Sequence, residues 1–137
     1  MQTLLGFDFG TQRIGVAVGQ SITGTATALC TVNARDEQPD WDRISELITD
    51  WHPDALVVGL PLHADGSDSR TTTAVRKFVH QLAGRSRLPV HIIDERLSSH
   101  AAKQLQHQDK AGKKADIDAI AAMIILQNWL EKENTHE

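Results

Sequence analysis

Three carboxylates in this 137-residue chain stand where acids have chemical consequences: Asp8, Glu95 and Asp118. Asp8 interrupts the apolar stretch TLLGFDFGTQRIGVAV, from Thr3 to Val18, and falls near the end of a strand that reads as central. An ionised carboxylate there costs several kcal/mol to desolvate unless a cation meets it, so Asp8 is expected at an opening of the fold. Glu95 follows the apolar run from Val90 to Ile93, inside Asp94-Glu95-Arg96. Asp118 shares a helix face with Ala121, Ala122 and Ile125, at spacings of three, four and seven, while Asp116 points about 200° away and reads as a first-turn charge. Brought together, the three acids are hard oxygen donors that repel one another until divalent cations neutralise them. That donor set suits Mg²⁺ or Mn²⁺ and not zinc. Two such ions about 4 Å apart would activate a water and stabilise the leaving oxygen in phosphodiester hydrolysis. Spacing alone leaves plainer roles open: a turn aspartate for Asp8, an ion pair with Arg96 for Glu95, a helix-start charge for Asp118.

A site for a phosphodiester also needs cations of its own. Lys110, Lys113 and Lys114 lie in the basic loop before the Asp118 helix, and Arg13, Arg70 and Arg96 flank the other acidic stretches. Each is expected to reach a backbone phosphate, with a solvated charge run as the plain alternative for the lysines. Arg96 is the best placed, being adjacent to Glu95 and carrying a guanidinium that matches phosphate geometry. Ser98 and Ser99 open a further helix, as caps or as part of an anion site. The formal net charge of −4 argues against a general nucleic-acid coat but not against a local basic groove. The seven histidines show no metal-ligand spacing.

The elements that must position these residues read in order. Thr3 to Val18 is a β-hairpin, with Gly10 and Thr11 between its strands and glycine supplying positive φ. Ser21 to Gly24 is a second turn, Thr25 to Val32 a third strand, and Asn33 to Asp40 a polar loop. Trp41, Ile44, Leu47, Ile48 and Trp51 recur at helical spacing in a helix that stops before Pro53, with both tryptophans expected in the core. Ala55 to Leu60 is a buried strand, His63 to Thr72 a loop, and Val75, Phe78, Val79 and Leu82 mark a helix ending near Gly84. Val90 to Ile93 is the fifth strand, Ser98 opens a helix carrying Ala101, Ala102 and Leu105, and the last helix runs from about Asp116 to Leu130. Strands that return through helices run parallel to the first. The expected architecture is α/β: a five-stranded mixed sheet in the order 3-2-1-4-5, strands 1–3 antiparallel, strands 1, 4 and 5 parallel, with helices on both faces. Residues 1–132 then form one domain and 133–137 a polar tail. Ligands of such sheets bind at the carboxyl ends of the strands, where all three acids converge. Cys30 has no partner for a disulfide, and no targeting or membrane-spanning run appears, so a cytoplasmic protein is expected.

Four blocks, FDFGTQRIGVA, GLPLHADG, IDERLSSHAA and KADIDAIAAMIILQNWL, resemble in order and spacing the YqgF/RuvX family of small bacterial RNase H-like proteins. The resemblance covers nearly the whole chain. It implies a five-stranded RNase H-like fold and a metal-dependent nuclease that processes the 5′ end of the small-subunit ribosomal RNA precursor, pre-16S rRNA. Holliday junction resolution, from similarity to RuvC, is the implied alternative. The family's acidic positions fall on Asp8, Glu95 and Asp118, while His63 and Trp129 depart from residues frequent among its members. The expected partner is therefore nucleic acid, an rRNA precursor or branched DNA, bound by a monomer or a weak homodimer; junction resolution needs two sites, so a dimer would favour it. Two further readings stand beside this one. Aspartate followed by Gly-Thr in a first hairpin also resembles the phosphate motif of actin and Hsp70 relatives, though there is no GxxxxGK[ST]. A non-catalytic binding module is the other.

Overall fold

The alternation of β1, Thr3–Phe9, sorts its side chains onto two faces of a sheet. Leu5, Phe7 and Phe9 join one buried cluster, and Leu4 joins the other. Gly6 and Asp8 share the Leu4 face, where a Cβ on Gly6 would stand 2.8 Å from Leu126. The computed structural model describes residues 2–10, 12–35, 38–60, 70–94 and 114–134. After β1 come β2 (Arg13–Gln20), β3 (Thr25–Arg35), β4 (Gln38–Pro39), α1 (Trp41–Trp51), β5 (Ala55–Leu60), α2 (Arg70–Ser86), β6 (Val90–Asp94) and α3 (Lys114–Asn134).

The sheet runs β4-β3-β2-β1-β5-β6. β1 to β4 are antiparallel neighbours, and β5 and β6 run parallel to β1. The expected mixed α/β sheet is therefore present, with one correction: it has six described strands and not five. The stretch Asn33 to Asp40 is not wholly loop, because β3 extends to Arg35 and Pro39 pairs with Ala34. Proline suits this edge position, where its missing N–H leaves no ladder bond unmade.

Helices cover both faces. Ile44 and Leu47 of α1 and Val75, Phe78 and Leu82 of α2 pack on the Leu5-Phe7-Phe9 side. Phe78 anchors that layer, with its ring 4.9 Å from Phe9 and 5.6 Å from Trp41. α1 is capped by Asp40, whose carboxylate accepts from the Arg43 N–H at 3.2 Å, and closes on left-handed His52 just before Pro53. Trp41 is in the core layer as expected, with the Arg85 guanidinium 4.4 Å over its ring. Trp51 is not: it stays 40% exposed, since the last residue of α1 lies one turn beyond Leu47, where the core ends.

The opposite face holds α3 alone among the described helices, packed through Ala122, Ile125, Leu126 and Leu130 on Leu4, Ala17, Ala55, Val57 and Ile93. α3 runs from Lys114 to Asn134, past both expected ends. Trp129 stacks on His91 of edge strand β6, centroids 4.5 Å apart and rings 16° from parallel. Among the described residues no helix is long and apolar enough to cross a membrane.

Candidate functional site

The site forms because two backbones touch. Asp8 on β1 pairs across the ladder with Gly15 on β2, so both project toward α3. A Cβ on Gly15 would lie 1.8 Å from the carbonyl oxygen of Asp118 and 2.2 Å from its carbonyl carbon. No side chain fits in that space. Gly15 therefore lets the first turns of α3 rest directly on β2, and sets Asp118 down beside Asp8 near the carboxyl end of β1. The contact continues along the helix, where Gly6, Gly19 and Gly59 lie under Leu126, Leu130 and Ile125.

The depth of α3 is fixed by a polar clamp nine residues beyond Asp118. Gln127 Oε1 accepts the Ala26 N–H at 2.9 Å and its Nε2 donates to the Gly24 carbonyl at 2.8 Å, so one side-chain amide closes on the β2–β3 turn. That turn depends on Gly24 in the left-handed region, φ 66°. Gly10, by contrast, does not take the positive φ expected of it. Its role is room: a Cβ there would stand 2.5 Å from the Arg13 carbonyl oxygen.

Arg13, the first residue of β2, reaches over the same face. Its Nε stands 3.0 Å from Asp118 Oδ2. Asp118 Oδ2 is itself buried and makes no hydrogen bond, so the guanidinium offers charge at close range without a directed N–H. The rest of the pair is wet, with the Arg13 side chain 58% and the Asp118 side chain 25% exposed.

The structure thus brings Asp8, Asp118 and Arg13 to one place. Glu95, Arg96, Lys110 and Lys113 lie outside the described residues, as does the helix expected from Ser98. Arg70 and Lys114 are the first residues of α2 and α3. Among the described residues no group of three or more His, Cys, Asp or Glu side chains is placed to hold a metal ion. Asp8 and Asp118 are two of the three acids expected to do so, and their chemistry fits a hard divalent cation: oxygen donors only, one of them a buried carboxylate oxygen with no hydrogen bond to satisfy it.

Sequence reasoning missed Gly15, Gln127 and the Arg13–Asp118 contact. The signal for Gly15 was available, because glycine inside a strand marks a bulge or a close backbone approach. Nothing local distinguishes Gln127 from any other polar helix residue.

Residues 2–132 match the model of a family described as RuvX: Holliday junction resolvase. A Pseudomonas putida protein curated as "Putative pre-16S rRNA nuclease" is 49% identical over 135 residues, covering 96% of both chains. A protein of the same name from Azotobacter vinelandii is 48% identical over 130 residues, covering 93% of this chain and 92% of its own. Among solved structures, Thermus thermophilus RuvC in complex with a Holliday junction substrate superposes with TM-score 0.57 at 16% identity, over 98% of this chain and 96% of RuvC. The fowlpox virus Holliday junction resolvase gives 0.58 at 16% identity, over 95% and 99%. These two likenesses establish the RuvC-like, RNase H-like fold. The family match and the near-half identity to full-length relatives establish more than the fold: this chain belongs to the RuvX (YqgF) family of nucleases.

Proposed function

We propose that this protein is a divalent-cation-dependent nuclease that processes the 5′ end of pre-16S rRNA in the cytoplasm, using Asp8, Glu95 and Asp118 as cation ligands within one domain of residues 1–132. The observation that supports this reading is the seating of the Asp118 backbone on Gly15, the ladder partner of Asp8, which brings a β1 residue and an α3 residue to one face of the sheet. Near-half identity to relatives named for pre-16S rRNA favours the RNA substrate.

Each residue then has a task. Asp8, on a strand paired on both sides, is the rigid ligand, and Asp118 is a ligand whose height above the sheet is set by Gly15 and Gln127. Glu95, one residue past β6, is assigned the third position. Mg²⁺ or Mn²⁺, when bound, supplies Lewis-acid stabilisation of the leaving oxygen and a water acidic enough to attack near neutral pH. Arg70, Arg96, Lys110, Lys113 and Lys114 are assigned to substrate phosphates.

Resolution of branched DNA is the second reading, favoured by the family's description and by the fold shared with junction resolvases. Purified protein with Mg²⁺ or Mn²⁺, offered a pre-rRNA 5′ segment and a four-way junction side by side, separates them. Cleavage of the RNA alone is the expected result; symmetric nicking of the junction by a dimer would replace it, and cleavage of neither would leave a binding module.

Lys113→Ala combined with Lys114→Ala should weaken binding to all nucleic-acid sequences alike. Each lost phosphate contact should flatten the slope of log affinity against log salt, by about 0.7 for a single strand and about 0.9 for B-form duplex. A fluorescence-polarisation titration over several salt concentrations reads this directly. An unchanged slope would assign both lysines to solvent.

A further inference from the structure

Asp118 Oδ2 is buried, makes no hydrogen bond, and faces a guanidinium nitrogen at 3.0 Å. A buried carboxylate oxygen ordinarily attracts directed donors, and arginine ordinarily meets a carboxylate with its N–H groups aligned. Here the positive charge is present and the alignment is missing. Arg13 is otherwise mostly in water, on a long side chain rooted at the first residue of β2, where tight-turn Gly10 packs against its carbonyl. Such a pair is held by proximity and is easily exchanged.

We infer that Arg13 is a positioning residue that stands in for the divalent cation at Asp118 and is displaced when that cation binds, leaving its guanidinium to a substrate phosphate. This rests on the reading of Asp8, Glu95 and Asp118 as a cation site. The physics is competition between like charges. A guanidinium 3.0 Å from a ligand oxygen occupies the space and the negative potential a cation needs, and a bound cation repels it in turn. In the cation-free protein Arg13 offsets the repulsion among the acids. In the loaded protein it is a mobile guanidinium at the rim of the site, suited to two phosphate oxygens at once. Cation binding and nucleic-acid binding are thereby coupled, because the first frees a group that the second uses.

The test begins without nucleic acid. Mn²⁺ is titrated by calorimetry into wild type, Arg13→Ala, Arg13→Lys and Asp118→Asn. Arg13→Ala should bind Mn²⁺ about five-fold more tightly, the size of an exposed ion-pair contribution, and Arg13→Lys should return toward wild type because it restores the competing charge. In wild type, the Arg13 side-chain N–H resonance, identified by its loss in Arg13→Lys, should shift with Mg²⁺ and saturate together with cation binding. A residue that only braces the fold would give a variant of equal or weaker cation affinity and a resonance that stays still, and either result overturns the inference. If Arg13→Ala fails to fold, the wild-type resonance decides alone. If wild type binds no Mn²⁺, or Asp118→Asn binds it as well as wild type does, the cation site itself is wrong and the inference falls with it. If those two behave as expected but Arg13→Ala binds no more tightly, only the role of Arg13 is refuted.

Discussion

Asp8→Asn is expected to abolish cleavage while nucleic-acid binding persists. The amide is nearly the shape of the carboxylate, and Asp8 sits in a strand whose ladder partners, Gly15 on β2 and the run Leu4 to Phe7 against β5, do not depend on its charge. What disappears is a negative ligand at the point where Asp118 also arrives. Losing Lewis-acid assistance should cost several kcal/mol of transition-state stabilisation, on the order of a thousandfold or more in rate. Binding through Arg70, Arg96 and the lysines should survive, weakened only by the one contact of Arg13, which a lost cation no longer frees. Single-turnover cleavage and a binding titration on the same preparation separate the two effects. A variant that keeps a tenth of the wild-type rate would show that Asp8 is not a cation ligand.

Gly15→Ala should damage stability and activity together, though its side chain is a single methyl group. The new Cβ would meet the Asp118 carbonyl oxygen at 1.8 Å and the Ala119 nitrogen at 2.9 Å, both main-chain atoms that cannot rotate away. α3 must therefore lift from β2 by an ångström or more, loosening the packing of Ala122, Leu126 and Leu130 on the sheet. Overpacking of this kind costs about 1–3 kcal/mol, and a 137-residue domain loses about 3–4 °C of midpoint for each kcal/mol. The melting midpoint should fall by about 3–12 °C. Cleavage should fall about a hundredfold even below the midpoint, because a ligand displaced by an ångström no longer fits the geometry the reaction needs. A variant melting within a degree of wild type, with full activity, would mean that α3 does not rest on Gly15.

The parts legible in the sequence were those where a run of one residue type is closed by clear punctuation. Ala55 to Leu60 is apolar without interruption and bounded by Pro53 and Pro61, and its strand has those limits. The helix of Trp41 ends before a proline, and it too has the expected span. Boundaries without punctuation were missed. Nothing in the sequence separates Val32 from Arg35, and β3 continues through residues that read as loop. Trp51 has the right direction around its helix, but helical periodicity does not say where along the axis the covering sheet stops. Gly10 was assigned the commoner reason for a turn glycine, while the structure requires it for space.

At the site, Asp8 was legible because a charge inside an apolar strand is costly and so demands an explanation. Asp118 was legible from its helix face, where Ala122 and Ile125 are indeed buried. What brings the two together is a backbone contact between Gly15 and Asp118, residues 103 positions apart, and glycine offers no side-chain chemistry to announce it. The Arg13–Asp118 contact is hidden for the same reason: it follows from that seating and from no pattern near either residue.

The central claim is that acids from separate elements share one divalent cation, and thermal unfolding against cation concentration tests it without any substrate. Wild type, Asp8→Asn and Asp118→Asn are melted at low ionic strength, first free of metal and then over a rising series of Mg²⁺ or Mn²⁺. A ligand that binds only the folded state stabilises it by mass action, about 2.7 kcal/mol at a hundred times its dissociation constant, or about 9 °C for a chain of this length. The wild-type midpoint should climb steadily with the logarithm of cation concentration once the site is half filled, and both variants should stay nearly flat over the same range. If either variant climbs as wild type does, Asp8 and Asp118 do not hold a common cation.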